Sequence, residues 1–159
     1  MKNALFAGSF DPFTIGHEYI VNKALLLFDK IIIGIGDNSS KSCMLSLENR
    51  EKIIKKGFYN NPKIEIVNYS GLTVDFCKKH NCNFILRGLR NSIDLEYEKN
   101  IAYTNKLLEN GIETIFILSL PEHSFISSSI VREIVKYKGD LTGLLPANIS
   151  SEEFYSLLY

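Results

Sequence analysis

The stretch of residues 8–17, which joins an apolar run to an amphipathic segment, constrains the fold of this chain more than any other feature. The run before it, residues 3–7, is short and apolar, as a buried parallel strand is. Pro12 interrupts regular structure and Thr14 can cap a helix, whose free N–H groups attract anions. We therefore expect a strand, a turn and a helix around an anion, with His17 in the first helical turn.

The rest of the sequence alternates between helical and strand-like patterns. Helices are predicted over 16–28, 46–57, 72–79, 94–110 and 130–135 and after Ser150, with Gly111 stopping the fourth, and strands over 30–36, 63–69, 84–86 and 113–118. Strands that alternate with helices pair in parallel. The sequence thus predicts an α/β fold, a Rossmann-like doubly wound five-stranded parallel sheet with helices on both faces. Its 159 residues are expected to form a single domain over 1–159.

Charge and hydropathy argue against some classes of partner. Lys plus Arg number 18 and Asp plus Glu also number 18, so no overall basic field draws the chain to nucleic acid or anionic lipid. No apolar run is as long as a membrane span, and residues 1–7 are too short and strand-like for a signal peptide. We expect an anion site that is local and a cytoplasmic protein, with no nucleic-acid or membrane partner.

The three cysteines are sparse and odd in number. Cys43, Cys77 and Cys82 do not suggest a disulfide framework, and reduced thiols are the simpler interpretation. His80 lies between the last two, so a zinc site is the alternative to core cysteines and a surface histidine. No fourth ligand lies nearby in the sequence, and no metal ligands are assigned.

Basic side chains follow two of the predicted strands. Lys41 lies in a polar loop after strand 30–36, and Arg87 and Arg90 follow strand 84–86. Parallel strands end at one edge of a sheet, where ligands bind in folds of this kind. Two guanidinium groups there can hold one polyanion, and phosphate is the natural partner. The alternatives are a solvated lysine and arginines engaged in structural salt bridges.

A second anion cradle is predicted before the helix at 130–135. Ser127, Ser128 and Ser129 bring hydroxyl and backbone N–H groups to a helix start, and ordinary N-capping explains only one of them. Glu98, in the long predicted helix, is by its spacing a solvated carboxylate.

Taken together, the pattern Gly8 to His17, Lys41, Arg87-Gly88-Leu89-Arg90 and Ile126 to Ser129 resembles the T-x-G-H nucleotidyltransferases. More narrowly, it is similar to the bacterial phosphopantetheine adenylyltransferases from about Leu5 to Pro146. The resemblance implies transfer of an adenylyl group from ATP, with Mg²⁺, to 4′-phosphopantetheine, giving dephospho-coenzyme A and pyrophosphate. It also implies a cytoplasmic homohexamer and feedback binding of coenzyme A.

The resemblance further implies which residues act. His17, Lys41 and Arg90 are implied to be catalytic, without a protein nucleophile, because the acceptor's own phosphate attacks. Position by position, the ATP site corresponds to Ser9, Phe10, His17, Gly88, Leu89, Arg90, Glu98, His123, Ser124, Phe125, Ile126, Ser127, Ser128 and Ser129. The acceptor site corresponds to Ser9, Lys41, Thr73 and Arg87.

Three positions depart from the family pattern. Ser9 stands where threonine is usual, Gly71 where aspartate is common, and His123 where tryptophan often occurs. Two other functions are also compatible with the sequence. One is a sister T-x-G-H transferase that uses nicotinamide mononucleotide or glycerol 3-phosphate as acceptor, and the other is a non-catalytic nucleotide sensor, which would be expected to lose His17 or Lys41.

Overall fold

The computed structural model describes residues 1–37 and 42–158. Within them, five strands form one parallel sheet: β1 (Asn3–Gly8), β2 (Lys30–Gly36), β3 (Ile64–Tyr69), β4 (Phe84–Leu89) and β5 (Glu113–Leu118). Their order across the sheet is β3-β2-β1-β4-β5. The predicted doubly wound parallel sheet is confirmed.

Helices cover both faces of this sheet. They are α1 (Ile15–Ala24), α2 (Leu47–Gly57), α3 (Thr73–Lys79), α4 (Ser92–Leu108), α5 (Ser128–Lys136) and α6 (Ser151–Ser156), with a 3-10 turn over Pro121–His123. None of the helices described here is long and apolar enough to cross a lipid bilayer.

The two cores follow from the alternation of side chains along the central strands. In β1, Ala4 and Phe6 join the larger core under α1, α2, α5 and α6, whereas Leu5 and Ala7 join a smaller core under α3. A strand buried on both faces has to be apolar at its buried positions, as β1 is over 4–7 and β2 over 31–35. The sheet is therefore a rigid base for the loops at its carboxyl edge.

Helix α1 ends earlier than predicted, at Ala24 instead of about Phe28. Beyond it, the N–H groups of Leu26 and Leu27 bond carbonyls three residues back, so the chain tightens into turns. Those two leucines are 77% and 60% exposed, while Phe28 returns to the core at 8%. The apolar pattern continues past Ala24, but the helix does not.

Strand β4 is longer than predicted. Arg87 and Gly88, which we expected directly after the strand, pair with Phe116 and Ile117 of β5. A Cβ on Gly88 would lie 3.0 Å from Cγ1 of Ile20, so glycine lets α1 pack closely on the strand.

Helix α4 runs over Ser92–Leu108 instead of 94–110, and Gly111 is not the glycine stop that we predicted. The helix ends where Glu109 adopts an extended backbone, with φ of −147°. Gly111 has no positive φ and donates its N–H to the Glu109 carboxylate at 3.3 Å.

Strands β1 and β4 diverge toward their carboxyl ends. They pair from Ala4–Phe84 to Phe6–Leu86 and no further, although both strands continue. Strand order reverses between them, and ligands of doubly wound sheets bind in the crevice at such a point.

Candidate active site

A cleft of about 900 Å³ opens at this crevice, at the carboxyl edge of the sheet. The cleft is lined by the motif stretch (residues 8–17), the ends of β2 and β3 with the start of α3, the end of β4 with α4, and the segment from the end of β5 to the start of α5. The assigned residues that line it are Ser9, Phe10, His17, Thr73, Arg87, Gly88, Arg90, Glu98, His123, Ile126, Ser127, Ser128 and Ser129.

Three of the assigned residues that the structure describes are not part of that lining. Lys41 lies outside the described residues. Leu89 is buried, Ser124 donates its hydroxyl to the Pro121 carbonyl at 2.7 Å, and Phe125 is 62% exposed. Of these three described residues, none lines the described cleft.

Thr14 and His17 form a capping box at the start of α1. The Thr14 hydroxyl accepts the His17 backbone N–H at 3.4 Å, and the backbone N–H of Thr14 donates to Nδ1 of His17 at 3.0 Å. The helix start and the orientation of the imidazole are thus fixed by the same two residues.

These contacts also fix the protonation state of His17. Since Nδ1 accepts a hydrogen bond, the neutral ring carries its proton on Nε2. The rings of Phe10 and Phe13 lie 5.3 and 5.2 Å from the imidazole. Burial, and then the charges of Arg90 and Arg87, lower the pKa of His17 from 6.5 to about 4. His17 therefore offers a neutral N–H donor at the cleft.

Asp11 joins the motif stretch to the chain that follows the undescribed residues. Its carboxylate is 4% exposed and accepts the N–H groups of Met44 at 2.7 Å and Leu45 at 2.9 Å. The segment after Lys41 is therefore anchored to the motif stretch. Residue spacing does not predict these partners, which lie 33 and 34 residues away, although a carboxylate inside an apolar motif indicates that it has a polar partner.

Arg87 lies where β1 and β4 separate. Its Nη1 donates to the Ala7 carbonyl at 2.8 Å, in the place of a ladder hydrogen bond. Nε donates to Oε2 of Glu98 at 2.6 Å, and Nη2 pairs with Oε1 of the same carboxylate. Glu98 is 9% exposed, so the expectation of a solvated carboxylate is wrong. A bidentate partner eleven residues away explains its burial.

Arg90 is held by a second carboxylate. Nε and Nη2 donate to Asp94 at 2.9 and 3.0 Å, and the Arg90 backbone N–H donates to Asp94 at 3.0 Å. Desolvation of the Asp94 carboxyl acts to raise its pKa, but the hydrogen bonds and charge of Arg90 outweigh it and lower the pKa. Both arginines line the cleft, as expected, and both are in salt bridges.

Each serine of the predicted cradle has a different partner. Ser127 is the N-cap of α5 and accepts the Ile130 N–H at 3.2 Å. Ser128 donates to the Pro12 carbonyl at 2.8 Å, and Ser129 accepts from Arg132 at 3.0 Å. Ser128 thus connects α5 to the motif stretch, while Ser129 contacts an arginine of its own helix, so each serine beyond the cap has a structural partner.

The side of the cleft near β3 is open. Gly71 lines it with φ of +89° and with open space where a Cβ would be, a conformation that favours glycine over the aspartate common in the family. The hydroxyls of Tyr69 and Thr73 lie 3.2 Å apart. On the opposite side, the buried Nδ1 of His123 has no hydrogen-bond partner in the part of the chain that the structure describes.

The cysteines lie away from this cleft. Burial raises the pKa of Cys77 to about 12 and that of Cys82 to about 11, and His80 stacks on Phe76 with 4.1 Å between ring centroids. Residues 1–37 and 42–158 contain no group of three or more His, Cys, Asp or Glu residues placed to hold a metal ion.

Comparison with known proteins agrees with the geometry of this cleft. The sequence model of the Cytidylyltransferase-like family matches residues 5–134. The phosphopantetheine adenylyltransferase of Flavobacterium psychrophilum is 51% identical over 146 residues, which cover 92% of this chain and 96% of that protein. The enzymes of the same name from Christiangramia forsetii and Flavobacterium johnsoniae are 50% and 49% identical, each over 92% of this chain and over 96% and 95% of their own lengths.

Proposed function

This chain belongs to the Cytidylyltransferase-like family and, within it, to the phosphopantetheine adenylyltransferases, and we propose that its cleft transfers the adenylyl group of ATP to 4′-phosphopantetheine. The products are dephospho-coenzyme A and pyrophosphate. One observation supports this chemistry most: a neutral N–H donor on His17 shares the cleft with Arg87 and Arg90.

The reaction needs positioning and charge stabilisation more than a protein nucleophile. An oxygen of the acceptor phosphate attacks the α-phosphorus of ATP, the bond from the α-phosphorus to the bridging oxygen breaks, and pyrophosphate leaves in line. Charge grows on the α-phosphate oxygens as this happens. A donor that is already oriented stabilises that charge without reorganisation.

His17 is placed to be that donor. Thr14 holds Nδ1, so the Nε2 proton is the one available to the α-phosphate. Because the pKa of the imidazole is about 4, the ring stays neutral and keeps its fixed tautomer at physiological pH. We assign it the role of transition-state stabiliser, not that of a general base.

The remaining ATP contacts are proposed from the side of the cleft formed by β4, α4 and α5. Arg90 and the serine cradle (Ser127–Ser129) bind the β- and γ-phosphates, and the backbone of Gly88 and Leu89 lies beside them. The other proposed ATP contacts are Ser9, Phe10, Glu98, His123, Ser124, Phe125 and Ile126. Arg90 has to exchange or share its Asp94 partner to do so.

The acceptor is proposed to lie toward β3. Thr73 and Gly71 follow β3 and line the cleft there, with open space at Gly71, and Ser9 follows β1. Arg87 of β4 is proposed to reach the acceptor phosphate from the other side of the cleft. Lys41 is proposed to contact both the acceptor phosphate and the α-phosphate, and Asp11 anchors the chain that follows it.

Magnesium is proposed as part of the ATP substrate. Mg²⁺ binds phosphate oxygens and waters, with one or two protein carboxylates. Asp94 and Glu98 line the cleft, and the described residues contain no group of three or more metal-ligating side chains. This fits a Mg²⁺ ion bound mainly by the ATP phosphates better than one bound by protein ligands alone. When bound, the ion neutralises charge on the phosphates.

We further propose that residues 1–159 act as one nucleotidyltransferase domain within a homohexamer. Support comes from α4, a fully described helix on which Glu98 is the one buried residue. Ile93, Tyr103 and Leu107 of this helix are 78%, 67% and 87% exposed, and exposed apolar faces of this kind mark interfaces. Feedback by coenzyme A is proposed at the acceptor end, because the molecule shares the pantetheine arm. The cytoplasmic location stays a prediction.

Acceptor choice tests the function. With ATP and Mg²⁺, mass spectrometry should detect dephospho-coenzyme A and pyrophosphate from 4′-phosphopantetheine. Pantetheine without its phosphate should not react, because the nucleophile is missing. Turnover of nicotinamide mononucleotide or glycerol 3-phosphate, with none of 4′-phosphopantetheine, would assign the chain to a sister reaction. Binding of ATP without any turnover would favour a sensor.

A further inference from the structure

Arg50 differs from the arginines that line the cleft. It lies on α2, is 4% exposed, and donates from Nη1 to the carbonyls of Ser9 at 2.8 Å and Gly36 at 3.4 Å. Its Nε is buried without a hydrogen-bond partner among the described residues. In the same part of the chain, no carboxylate forms a salt bridge with it, whereas Arg87 and Arg90 each have one.

A buried guanidinium with carbonyl partners alone is costly, since it keeps its charge and loses its water. Two other charged groups hold the motif stretch near it. Arg132 donates to the Asp11 carbonyl at 2.6 Å, and the Asp11 carboxylate accepts two backbone N–H groups. The Asp11 carboxylate is thus engaged by backbone N–H groups and forms no salt bridge with Arg50.

The unpaired charge of Arg50 lies next to the cleft but outside its lining. Ser9 and Gly36 line the cleft, while Arg50 does not. Ser9 follows β1 and Gly36 ends β2, so the guanidinium connects two neighbouring strand ends from outside the cleft lining. An anion in the cleft would provide the charge that Arg50 lacks.

We propose that Arg50 is a positioning residue for the reaction, whose charge, acting through the Ser9 and Gly36 backbone, raises the affinity of the cleft for phosphate-bearing substrates. This inference rests on the proposed function, since it assigns the anion to the phosphate of the acceptor. A buried charge is screened less by water and salt than a surface charge is, so its electrostatic attraction reaches further.

Three variants separate charge from hydrogen bonding. Arg50→Lys keeps the positive charge, Arg50→Gln keeps an N–H donor without charge, and Arg50→Met removes both while filling similar space. Lys52→Gln removes a charge from the same helix at a residue whose side chain is 52% exposed, and is the matched control. Calorimetry measures the Kd of 4′-phosphopantetheine, and steady-state kinetics give kcat and KM.

We expect the affinity for 4′-phosphopantetheine to depend on the charge at position 50. The lysine variant and the Lys52→Gln control should stay within about threefold of the wild-type Kd, while both neutral variants weaken it about tenfold or more. KM for the phosphorylated acceptor should rise in parallel in the neutral variants, and the lysine variant should restore it.

Three results would overturn the proposal. One is a Kd for Arg50→Gln and Arg50→Met within about twofold of wild type. Another is an equal loss in the lysine and glutamine variants, which would assign Arg50 to the carbonyl contacts alone. The third is that both neutral variants fail to fold while Arg50→Lys folds, which would make the charge a requirement of the fold itself. If the wild-type protein binds no 4′-phosphopantetheine, the proposed function fails instead, and the two failures are thus distinguishable.

Discussion

The two sides of the cleft present their polar groups in different states. On the first side, the motif stretch (residues 8–17), His17 is neutral and fixed through Nδ1, which leaves its other ring nitrogen available. On the second side, the end of β4 with the start of α4, Arg87 and Arg90 are engaged by Glu98 and Asp94. The first side thus has a free, oriented N–H donor for an anion, while the arginines of the second side form salt bridges with carboxylates of the same chain.

This difference separates two tasks. A preorganised donor stabilises charge that forms during the reaction, because nothing has to move. A cation on an internal carboxylate binds phosphate only by exchanging or sharing that partner, so part of its binding free energy is lost. We expect the first side to determine kcat and the second to determine affinity and stability.

The largest effect is expected on the first side, from His17→Ala. Turnover should fall by about a hundredfold or more, while the Kd of ATP changes little, because the donor strengthens mainly in the transition state. Steady-state kinetics and calorimetry measure the two quantities. His80→Ala, which removes a histidine stacked on Phe76, is the control and should leave kcat unchanged. An unchanged turnover number in His17→Ala would remove His17 from its proposed role.

On the second side, Glu98→Gln should reduce stability. The variant leaves Arg87 without its carboxylate in a largely buried place. We expect a loss of about 2 kcal/mol in the free energy of unfolding, less than for a fully buried pair because the Arg87 side chain is 26% exposed. Denaturant unfolding measures it. Glu96→Gln breaks the exposed pair with Lys99 and should cost much less. Equal losses in the two variants would show that the Arg87 pair is no stronger than a surface pair.

Substitutions on both sides of the Arg90–Asp94 pair test whether Asp94 competes with the ATP phosphates for Arg90. Arg90→Ala should weaken ATP binding about tenfold, and Asp94→Asn should tighten it about threefold, because the guanidinium is then released from its acid. Calorimetry with ATP measures both. If Asp94→Asn instead weakens ATP binding as much as Arg90→Ala does, the carboxylate holds Arg90 in its binding position and does not compete with the ligand.

Near neutral pH, the smallest change is expected from pH itself, on the first side. The pKa of His17 is about 4 in the folded protein and 6.5 as the ordinary value, so the unfolded chain binds more protons between these limits. The contribution of His17 to stability is therefore constant above pH 6.5 and falls as the pH drops from 6.5 to 4. NMR titration of the imidazole and unfolding of wild type and His17→Gln at several pH values measure it. A titration near 6.5 would contradict the buried, neutral ring.

Local sequence patterns were sufficient to predict where most strands of the sheet begin and end. Strand β2, strand β5 and helix α2 have the predicted limits, because β-branched runs and the Ser46 cap are local signals. Helix α1 was predicted too long, since Leu25 to Phe28 continue an apolar spacing while the chain already turns. Hydropathy does not encode that turn.

The site was predictable where a motif is contiguous and less so where partners are distant. Thr14 and His17 follow from their spacing, as does the Ser127 cap. The burial of Glu98 depends on Arg87 across the sheet edge, and that of Arg50 depends on carbonyls at two strand ends. Such contacts are set by tertiary packing, so residue spacing alone gives no signal for them.

The capping box at the start of α1 has a consequence for how this chain can change. Thr14 and His17 serve a helix end and a reacting group with the same atoms, so a substitution at either position alters both at once. Selection for faster chemistry cannot adjust the imidazole without loosening the first turn of α1, and selection for a sturdier turn cannot replace the imidazole. Helix stability and catalysis are therefore coupled at Thr14 and His17. In directed evolution of this enzyme, substitutions that improve one property without harming the other are expected outside the capping box.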